Sequence, residues 1–229
     1  MVLYGKKALL DNIKNVYKVD VSNARKDIIN LLKKTKIDFS IQPEAFFNQF
    51  PTNLNHQGII SYTKHKEKYN TLEELLENSK DKSTIVVLDS IMDTGNYGAI
   101  LRTCNAFGVD AVIVKKNEQA QINEYVVKAS QGAIENLNIF KVTNLSQTLE
   151  LLKKHGYWTY ATGLNDKAKD YSKIKYDEKT VVIFGNEDKG VSKNVLDNAD
   201  FVVKIPMTGT VQSLNVSVSV GIVLAKVRE

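Results

Sequence analysis

The sequence predicts an α/β fold in which a mostly parallel sheet follows a smaller α/β unit at the amino terminus. The first observation is the β-branched run at 84–88, which is typical of a parallel strand buried on both faces. The second is the regular alternation of strand and helix patterns from that run to the carboxyl end. The third is a charged stretch at 64–70, which separates this region from the residues before it.

Residues 1–64 are predicted to form the smaller α/β domain. Their hydrophobic periodicity predicts one helix and three strands, at 6–15, 16–21, near 37–41 and at 58–63. Ser22 is expected to cap a second helix that runs to about Lys34. Pro43 suits the first turn of a third helix, because its fixed φ angle matches the helical one.

Residues 65–82 are predicted to be a linker with one short helix, because Thr71 and Glu74 form a capping-box pattern for a helix at 72–79. Residues 83–229 are predicted to form the second domain. After strand 84–88, its strands and helices are predicted in turn at strand 109–114, helix 122–131, strand 137–142, helix 145–155, and strands 157–161, 180–184 and 201–205.

The last segment has two interpretations. Residues 215–220, Asn-Val-Ser-Val-Ser-Val, have a period of two and strand-forming residues, which favours a strand. Ser213 can instead cap a helix whose apolar residues recur at helical spacing as far as Val227. The residues alone leave both open.

Composition narrows the class of protein. The 229 residues are 43% hydrophobic and 25% charged, as in an ordinary soluble protein, and no apolar run approaches the roughly 20 residues that span a bilayer. Cys104 is the single cysteine, so no internal disulfide can form and a cytoplasmic location is expected. The net charge of +5 lies mostly in the first third of the chain. That excess fits either nucleic-acid binding or an ordinary solvated face.

The first of three candidate site segments begins at Asp93, after the buried strand. Ligand sites of open α/β sheets lie at the carboxyl ends of parallel strands. Gly95 and Gly98 are expected to allow a tight or left-handed turn with Asn96 at its tip, and Arg102 is expected about one turn into the next helix. The alternative is an ordinary turn with Arg102 in solvent.

The second segment, 181–192, again joins a strand to a glycine-rich turn. Gly185 and Gly190 have the spacing of a phosphate-binding loop, but Val191 stands where that loop needs lysine. A carboxylate, Glu187, is unfavourable beside a polyphosphate. The turn therefore suits a neutral or cationic ligand.

The third segment, 205–217, begins where Pro206 ends a strand and Gly209 bends the loop. Amide groups at a helix start, with the Ser213 hydroxyl beside them, make a site for a phosphate or carboxylate. The alternative is a plain loop with a capping serine.

Together, the three segments resemble, in order and spacing, the three motifs of the SpoU (TrmH) methyltransferases of the SPOUT superfamily. The third motif is Ile-Pro-Met-x-Gly-x-x-x-Ser-Leu-Asn-Val-Ser, and the second is Phe-Gly-Asn-Glu-x-x-Gly-Val. The first matches through Asn96, Gly98 and Arg102, but Thr94 stands where the family usually has proline. Residues 1–64, through Tyr4-Gly5 and His56-Gln57-Gly58-Ile59-Ile60, are similar to the L30e-like substrate-binding domain of the ribosomal-RNA branch.

The resemblance implies transfer of a methyl group from S-adenosylmethionine to a ribose 2′-hydroxyl in RNA, most closely a guanosine of 23S rRNA. A tRNA substrate and a non-catalytic RNA-binding factor are the alternatives. It also implies a trefoil knot in the carboxyl-terminal domain, a helix over 213–227, a homodimer with a shared active site, and no metal. The residues implied to hold the donor are Thr162, Gly163, Phe184, Gly185, Ile205, Met207 and Leu214.

The catalytic positions implied by the family are Asn96, Arg102, Glu187, Ser213 and Asn215. Arginine is a weak base, because its pKa exceeds about 12. We therefore expect Arg102 to grip an RNA phosphate and stabilise the developing alkoxide, with help from Ser213. Asn96 and Glu187 are expected to orient Arg102 and the donor. Cys104 and the three histidines are expected to be packing or surface residues.

Overall fold

The computed structural model describes residues 2–50, 55–63 and 69–229. The first part of the chain forms a four-stranded sheet with strand order β1-β4-β2-β3. Its strands are β1 (Val2–Tyr4), β2 (Val16–Ser22), β3 (Asp38–Gln42) and β4 (Ile59–Thr63). β4 is antiparallel to both β1 and β2, whereas β3 is parallel to β2. The helices of this part are α1 (Lys6–Asp11), α2 (Lys26–Leu32) and a 3₁₀ helix (Glu44–Gln49).

The second part contains a seven-stranded sheet with strand order β7-β6-β5-β10-β8-β11-β9, in which every neighbouring pair is parallel. Its strands are β5 (Ser83–Asp89), β6 (Ala111–Lys115), β7 (Asn138–Val142), β8 (Trp158–Thr162), β9 (Lys169–Asp170), β10 (Lys179–Gly185) and β11 (Phe201–Lys204). The predicted parallel sheet is therefore confirmed. The apolar runs of β5 and β10 lie at its centre and are buried, as expected for parallel strands covered on both faces.

Helices cover both faces of this sheet. They are α3 (Leu72–Glu77), α4 (Thr94–Ala106), α5 (Glu124–Ser130), α6 (Leu145–Lys154), α7 (Lys193–Asp197) and α8 (Val216–Val227), with short 3₁₀ helices at Ala133–Asn136 and Tyr171–Lys173. One core lies between the sheet and α4, α5 and α8. The other lies between the sheet and α3, α6 and α7. In the described residues, no helix is long and apolar enough to cross a membrane.

The segment at 215–220 is helical, so the strand interpretation is wrong. Val220, Val223, Leu224 and Val227 recur at helical spacing and are buried on one side of α8. Burial of this face against α4 outweighs the strand preference of valine. Asn215 caps the helix, because its Oδ1 accepts the Ser217 N–H at 2.8 Å. The expectation that Ser213 caps this helix is therefore also wrong.

The glycines of the first candidate segment are helical, not in a left-handed turn. Asp93 caps α4, and its Oδ1 accepts the Asn96 N–H at 2.6 Å. A Cβ on Gly98 would lie 2.4 Å from the Cβ of Ala129, so this glycine permits the close approach of α4 and α5. Because α4 begins at Thr94, Arg102 lies more than two turns into it instead of about one.

The first two helices of the chain also differ from expectation. Ser22 is the last residue of β2 and does not cap a helix; its hydroxyl bonds the Glu44 carboxylate, and α2 begins only at Lys26. The helix predicted at 6–15 ends at Asp11, where the side chain of Asn12 bonds the carbonyl of Ala8.

Of the predicted linker, residues 65–68 lie outside the described residues. The following helix, α3, is capped by Thr71, whose hydroxyl accepts the Glu74 N–H at 3.1 Å, as predicted. The two sheets are joined by direct packing. Leu3 of β1 belongs to the core beneath α4 and α5, and the Thr63 hydroxyl donates to Glu135 Oε1 at 2.7 Å in a buried hydrogen bond.

Candidate active site

A pocket of about 460 Å³ lies at the carboxyl ends of β8, β10 and β11. This is the position at which open parallel sheets bind ligands, because the loops that follow the strands converge there. Its lining includes all seven residues that the resemblance assigns to the donor, namely Thr162, Gly163, Phe184, Gly185, Ile205, Met207 and Leu214. Those residues come from three separate stretches of sequence, and the fold brings them together.

The turn after β10 forms one wall of the pocket. Asn186 and Gly190 exchange two backbone hydrogen bonds, at 3.1 and 2.9 Å, and Gly190 has a φ of +69°. A Cβ on Gly185 would lie 2.0 Å from the carbonyl carbon of Gly190 and from the nitrogen of Val191. Glycine at 185 is therefore required for the turn to close tightly against the end of β10.

Three of the five predicted catalytic residues are linked at the edge of this pocket. The Asn96 Nδ2 donates to Glu187 Oε1 at 3.1 Å, and the Asn215 Nδ2 donates to Asn96 Oδ1 at 2.8 Å. The Asn215 Oδ1 in turn accepts from the hydroxyl of Ser217 at 2.6 Å. A carboxylate only accepts hydrogen bonds, so Asn96 must turn its amide N–H towards Glu187. Its amide oxygen then accepts from Asn215, and the oxygen of Asn215 accepts from Ser217.

Ser213 also lines the pocket, in an exposed loop that connects β11 to α8. Its hydroxyl makes no hydrogen bond with any described residue, so it remains able to bond a ligand. One pocket therefore brings together four of the five predicted catalytic residues, namely Asn96, Glu187, Ser213 and Asn215.

Arg102 is placed differently. It follows Asn96 by six residues on α4, which puts it about 9 Å along the helix and about 120° around it. It is exposed, is not among the pocket residues, and has no hydrogen bond or ion pair with any described residue. Within one chain Asn96 and Glu187 bond each other and not Arg102, so their expected role in orienting Arg102 stays a prediction.

The site also includes Asn186, which is not among the predicted site residues. Its Nδ2 donates to the carbonyl of Ser90 at 2.9 Å and to Glu187 Oε2 at 3.3 Å. Its Oδ1 accepts the N–H groups of Asp188 and Lys189, both at 3.1 Å. Asparagine is favoured in turns because it bonds the backbone just ahead of it, and this was the available signal.

The residues expected to play no chemical part behave accordingly where they are described. Cys104 is fully buried, and this burial raises the pKa of its thiol far above the ordinary value, so it stays protonated. His56 stacks on Phe47, and the His155 Nδ1 bonds the carbonyl of Leu151. His65 lies outside the described residues.

Comparison with known proteins gives a consistent result. Residues 83–225 match the SpoU rRNA Methylase family. An uncharacterised tRNA/rRNA methyltransferase of Mycoplasma pneumoniae is 42% identical over 229 residues, which cover 97% of this chain and 94% of that protein.

Two solved structures share the fold. The SpoU methyltransferase AviRb from Streptomyces viridochromogenes, solved in complex with the cofactor AdoMet, has a TM-score of 0.83 at 18% identity, over 100% of this chain and 89% of that one. An RNA 2′-O ribose methyltransferase has a TM-score of 0.78 at 24% identity, over 99% of this chain and 87% of that one. With a family match over more than half of its length and a relative at this level of identity, the chain belongs to the SpoU rRNA methylase family, as its three motifs predicted.

Proposed function

We propose that this protein transfers a methyl group from S-adenosylmethionine to a ribose 2′-hydroxyl in RNA. The observation that carries the proposal is that all seven predicted donor residues line one pocket. The hydrogen-bonded residues Glu187, Asn96 and Asn215 lie at the edge of this pocket. Family membership supports methylation of RNA, and the neighbour AviRb was solved with AdoMet bound.

The pocket fits this donor in size and chemistry. Its volume falls within the range of about 300–1,000 Å³ that is usual for small-molecule sites. Met207 and Leu214 offer apolar surface for a flat base, and the half-buried main chain of Thr162 and Gly163 also lines the pocket. Among the described lining residues, Glu187 is the one carboxylate and Lys204 the one cation, and the carboxylate attracts a sulfonium. When bound, S-adenosylmethionine supplies the electrophilic methyl group.

The acceptor hydroxyl must lose its proton as it attacks, and we assign Arg102 and Ser213 to this step. An alcohol is a poor nucleophile unless its developing negative charge is stabilised. Both side chains lack partners among the described residues, so both are available to RNA. We assign Arg102 to the adjacent phosphate and to the developing alkoxide, and Ser213 to the same oxygen.

A homodimer is proposed because one chain does not bring Arg102 to its own pocket. In the proposed dimer, the Arg102 of one copy completes the site of the other. The exposed side of α8 supports such an interface, because Val218, Ile222 and Ala225 form an apolar stripe at helical spacing and Val218 is 50% exposed.

The shared site is tested by mixing two inactive variants, Arg102→Ala and Glu187→Ala. A mixed dimer has one intact site, formed by Glu187 of one copy and Arg102 of the other. Random assortment makes half of the dimers mixed, so activity should return to about a quarter of the wild-type value. No recovery, with mixed dimers shown to form by light scattering and tag capture, contradicts a shared site.

We also propose that residues 83–229 contain the trefoil knot of the SPOUT superfamily. After β11 the chain returns across β8, and α8 packs on α4 and near β10. The loops that follow β10 and β11 line the same pocket, which is where a knot would hold the donor. We assign residues 65–82 to a linker that includes the short helix α3.

Residues 1–64 are proposed as an L30e-like domain that recruits RNA. Among its described residues, Tyr17 is 47% exposed and Lys18 Nζ lies 5.3 Å from the centre of the Tyr62 ring. Exposed aromatic rings with adjacent cations suit unpaired bases and phosphates. RNA affinity should then fall steeply as salt rises.

The proposed substrate is a guanosine of 23S rRNA. The test is incubation of the protein and labelled donor with 23S rRNA or with bulk tRNA. Label in rRNA alone supports the proposal, and label in tRNA alone favours the tRNA alternative. Calorimetry that shows no donor binding would favour a non-catalytic RNA-binding factor. Mapping of ribose methylation in total RNA from a strain that lacks the protein then locates the nucleotide.

A further inference from the structure

A buried carboxylate lies beside the pocket and has no part in the proposed chemistry. Asp89 is the last residue of β5, is 2% exposed and pairs with Gly185 in the register of β5 with β10. Its Oδ2 accepts the backbone N–H of Ser192 at 2.8 Å. Because burying a carboxylate is costly unless it is well bonded, its bonds indicate what it holds in place.

The other oxygen of Asp89 is held by neighbouring side chains. The Ser90 hydroxyl donates to Asp89 Oδ1 at 3.2 Å, and Lys115 Nζ lies 3.7 Å from the same atom. Lys115 also bonds the Ser90 hydroxyl at 3.2 Å and Glu118 at 2.7 Å. Both oxygens of Asp89 therefore have fixed partners, which sets the orientation of the carboxylate towards Ser192.

Ser90 adds a second attachment to the same turn. Its φ of +68° is left-handed, which is uncommon for a residue other than glycine and costs free energy. In this conformation its carbonyl accepts the Asn186 Nδ2 at 2.9 Å. Asp89 and Ser90 thus hold the turn at both ends, at Ser192 and at Asn186, and Glu187 lies between these two attachments.

We propose that Asp89 is a positioning residue that fixes the turn at 186–192 and so places Glu187 against Asn96 and the donor pocket. Asp89 is not among the pocket residues, so it acts through the turn and touches neither donor nor RNA. The consequence for methyl transfer rests on the proposed function above, whereas the fixing of the turn does not.

The first test measures amide hydrogen exchange over 186–192 in Asp89→Ala and Asp89→Asn. Asp110→Asn is the matched control, because Asp110 Oδ2 accepts the Thr84 N–H at 2.9 Å near the opposite end of β5. Exchange in the turn should rise about tenfold in Asp89→Ala and less in Asp89→Asn, which keeps one acceptor oxygen. Asp110→Asn should leave it unchanged. Unchanged exchange in Asp89→Ala, or an equal rise in the control, overturns the proposal.

The second test is donor binding and turnover, measured with S-adenosylmethionine at a temperature where each variant is folded. The Kd for the donor should rise about tenfold in Asp89→Ala, kcat should fall as well, and Asp89→Asn should restore part of both. A lower thermal midpoint with unchanged Kd and kcat would mean a merely structural role and would overturn the proposal. If the wild type itself binds no donor, the proposed function fails, and the exchange experiment alone then decides whether Asp89 holds the turn.

Discussion

Asn96→Asp tests the hydrogen-bonded chain at the pocket edge with a change of very few atoms. Asn96 Nδ2 donates to Glu187 Oε1 at 3.1 Å, so aspartate replaces that donor with an oxygen facing another carboxylate. The bond from Asn215 to Asn96 Oδ1 can persist, because aspartate keeps an acceptor there. The substitution therefore breaks only the link to Glu187.

The expected loss follows from two effects. A hydrogen bond to a charged acceptor contributes about 1.5 kcal/mol or more. Two unit charges 3.1 Å apart repel by about 1.3 kcal/mol at the dielectric constant of water, which is the appropriate limit for this exposed pair. Their sum of about 3 kcal/mol corresponds to a fall in kcat/KM of about one hundredfold, because each 1.4 kcal/mol is a factor of ten.

The assay is transfer of labelled methyl groups from S-adenosylmethionine to RNA at fixed pH and salt. Asn123→Asp is the matched control, because Asn123 is an exposed asparagine that caps α5 and aspartate caps a helix equally well. The double variant Asn96→Asp with Glu187→Gln should regain most of the lost activity, because glutamine can donate to Asp at 96. Activity of Asn96→Asp within threefold of wild type, or a double variant with the losses of both single variants, would show that the bond from Asn96 to Glu187 does not support turnover.

Three further predictions concern packing, pH and salt. Gly98→Ala should destabilise the fold by about 1–3 kcal/mol, because its Cβ would lie 2.4 Å from that of Ala129, and thermal unfolding should show a clear drop that Gly209→Ala, with no atom within 4 Å, does not. Burial raises the pKa of Asp200, but hydrogen bonds from Thr159 and Lys153 outweigh it, so the net pKa is lowered. Asp200 should then stabilise the fold above the unfolded pKa of about 3.9 and lose this effect as pH falls through the lower folded value, so Asp200→Asn should lower the thermal midpoint at pH 7, and the difference should shrink steadily as the pH falls below about 3.9. The Kd for RNA should rise steeply between 50 and 200 mM salt, whereas the Kd for the donor should change little, and equal salt dependence of both would contradict an RNA-binding role for the basic first third.

Much of the second sheet could be predicted because its strands are apolar runs between helical patterns. The runs at 84–88 and 180–184 mark the two central strands, and the structure extends each by only one residue at either end. Such runs are informative because a parallel strand covered on both faces needs apolar residues throughout.

Long-range packing determines the structure at the positions where the local sequence pattern predicted wrongly. The valines of 216–220 favour a strand locally, and only burial against α4 makes them helical. Gly98 looked like a turn glycine, yet it serves the close approach of α5, whose residues lie far along the chain. Neither outcome is visible in a short window of sequence, because each depends on a neighbour that the fold supplies.

Part of the candidate site could likewise be predicted from local motifs, and part depends on long-range contacts. The seven residues predicted to hold the donor could be named from the motifs, and they line one pocket at the ends of the strands. The bonds of Asn96 to Glu187 and Asn215 join residues that are 91 and 119 positions apart, and Arg102 faces away from them. The attachment made by Asp89 was missed because a buried carboxylate at a strand end has no sequence pattern of its own, whereas Asn186 had a signal in the preference of asparagine for turns.

The most direct test of the account is the chemical position of the transferred methyl group. Purified protein is incubated with methyl-labelled S-adenosylmethionine and either 23S rRNA or bulk tRNA, and the RNA is then hydrolysed in alkali. Alkaline cleavage of RNA needs a free 2′-hydroxyl, so the account predicts label in alkali-resistant dinucleotides, and its loss in Glu187→Ala. Label on a base, in alkali-released mononucleotides, or no label in rRNA or tRNA, would contradict it.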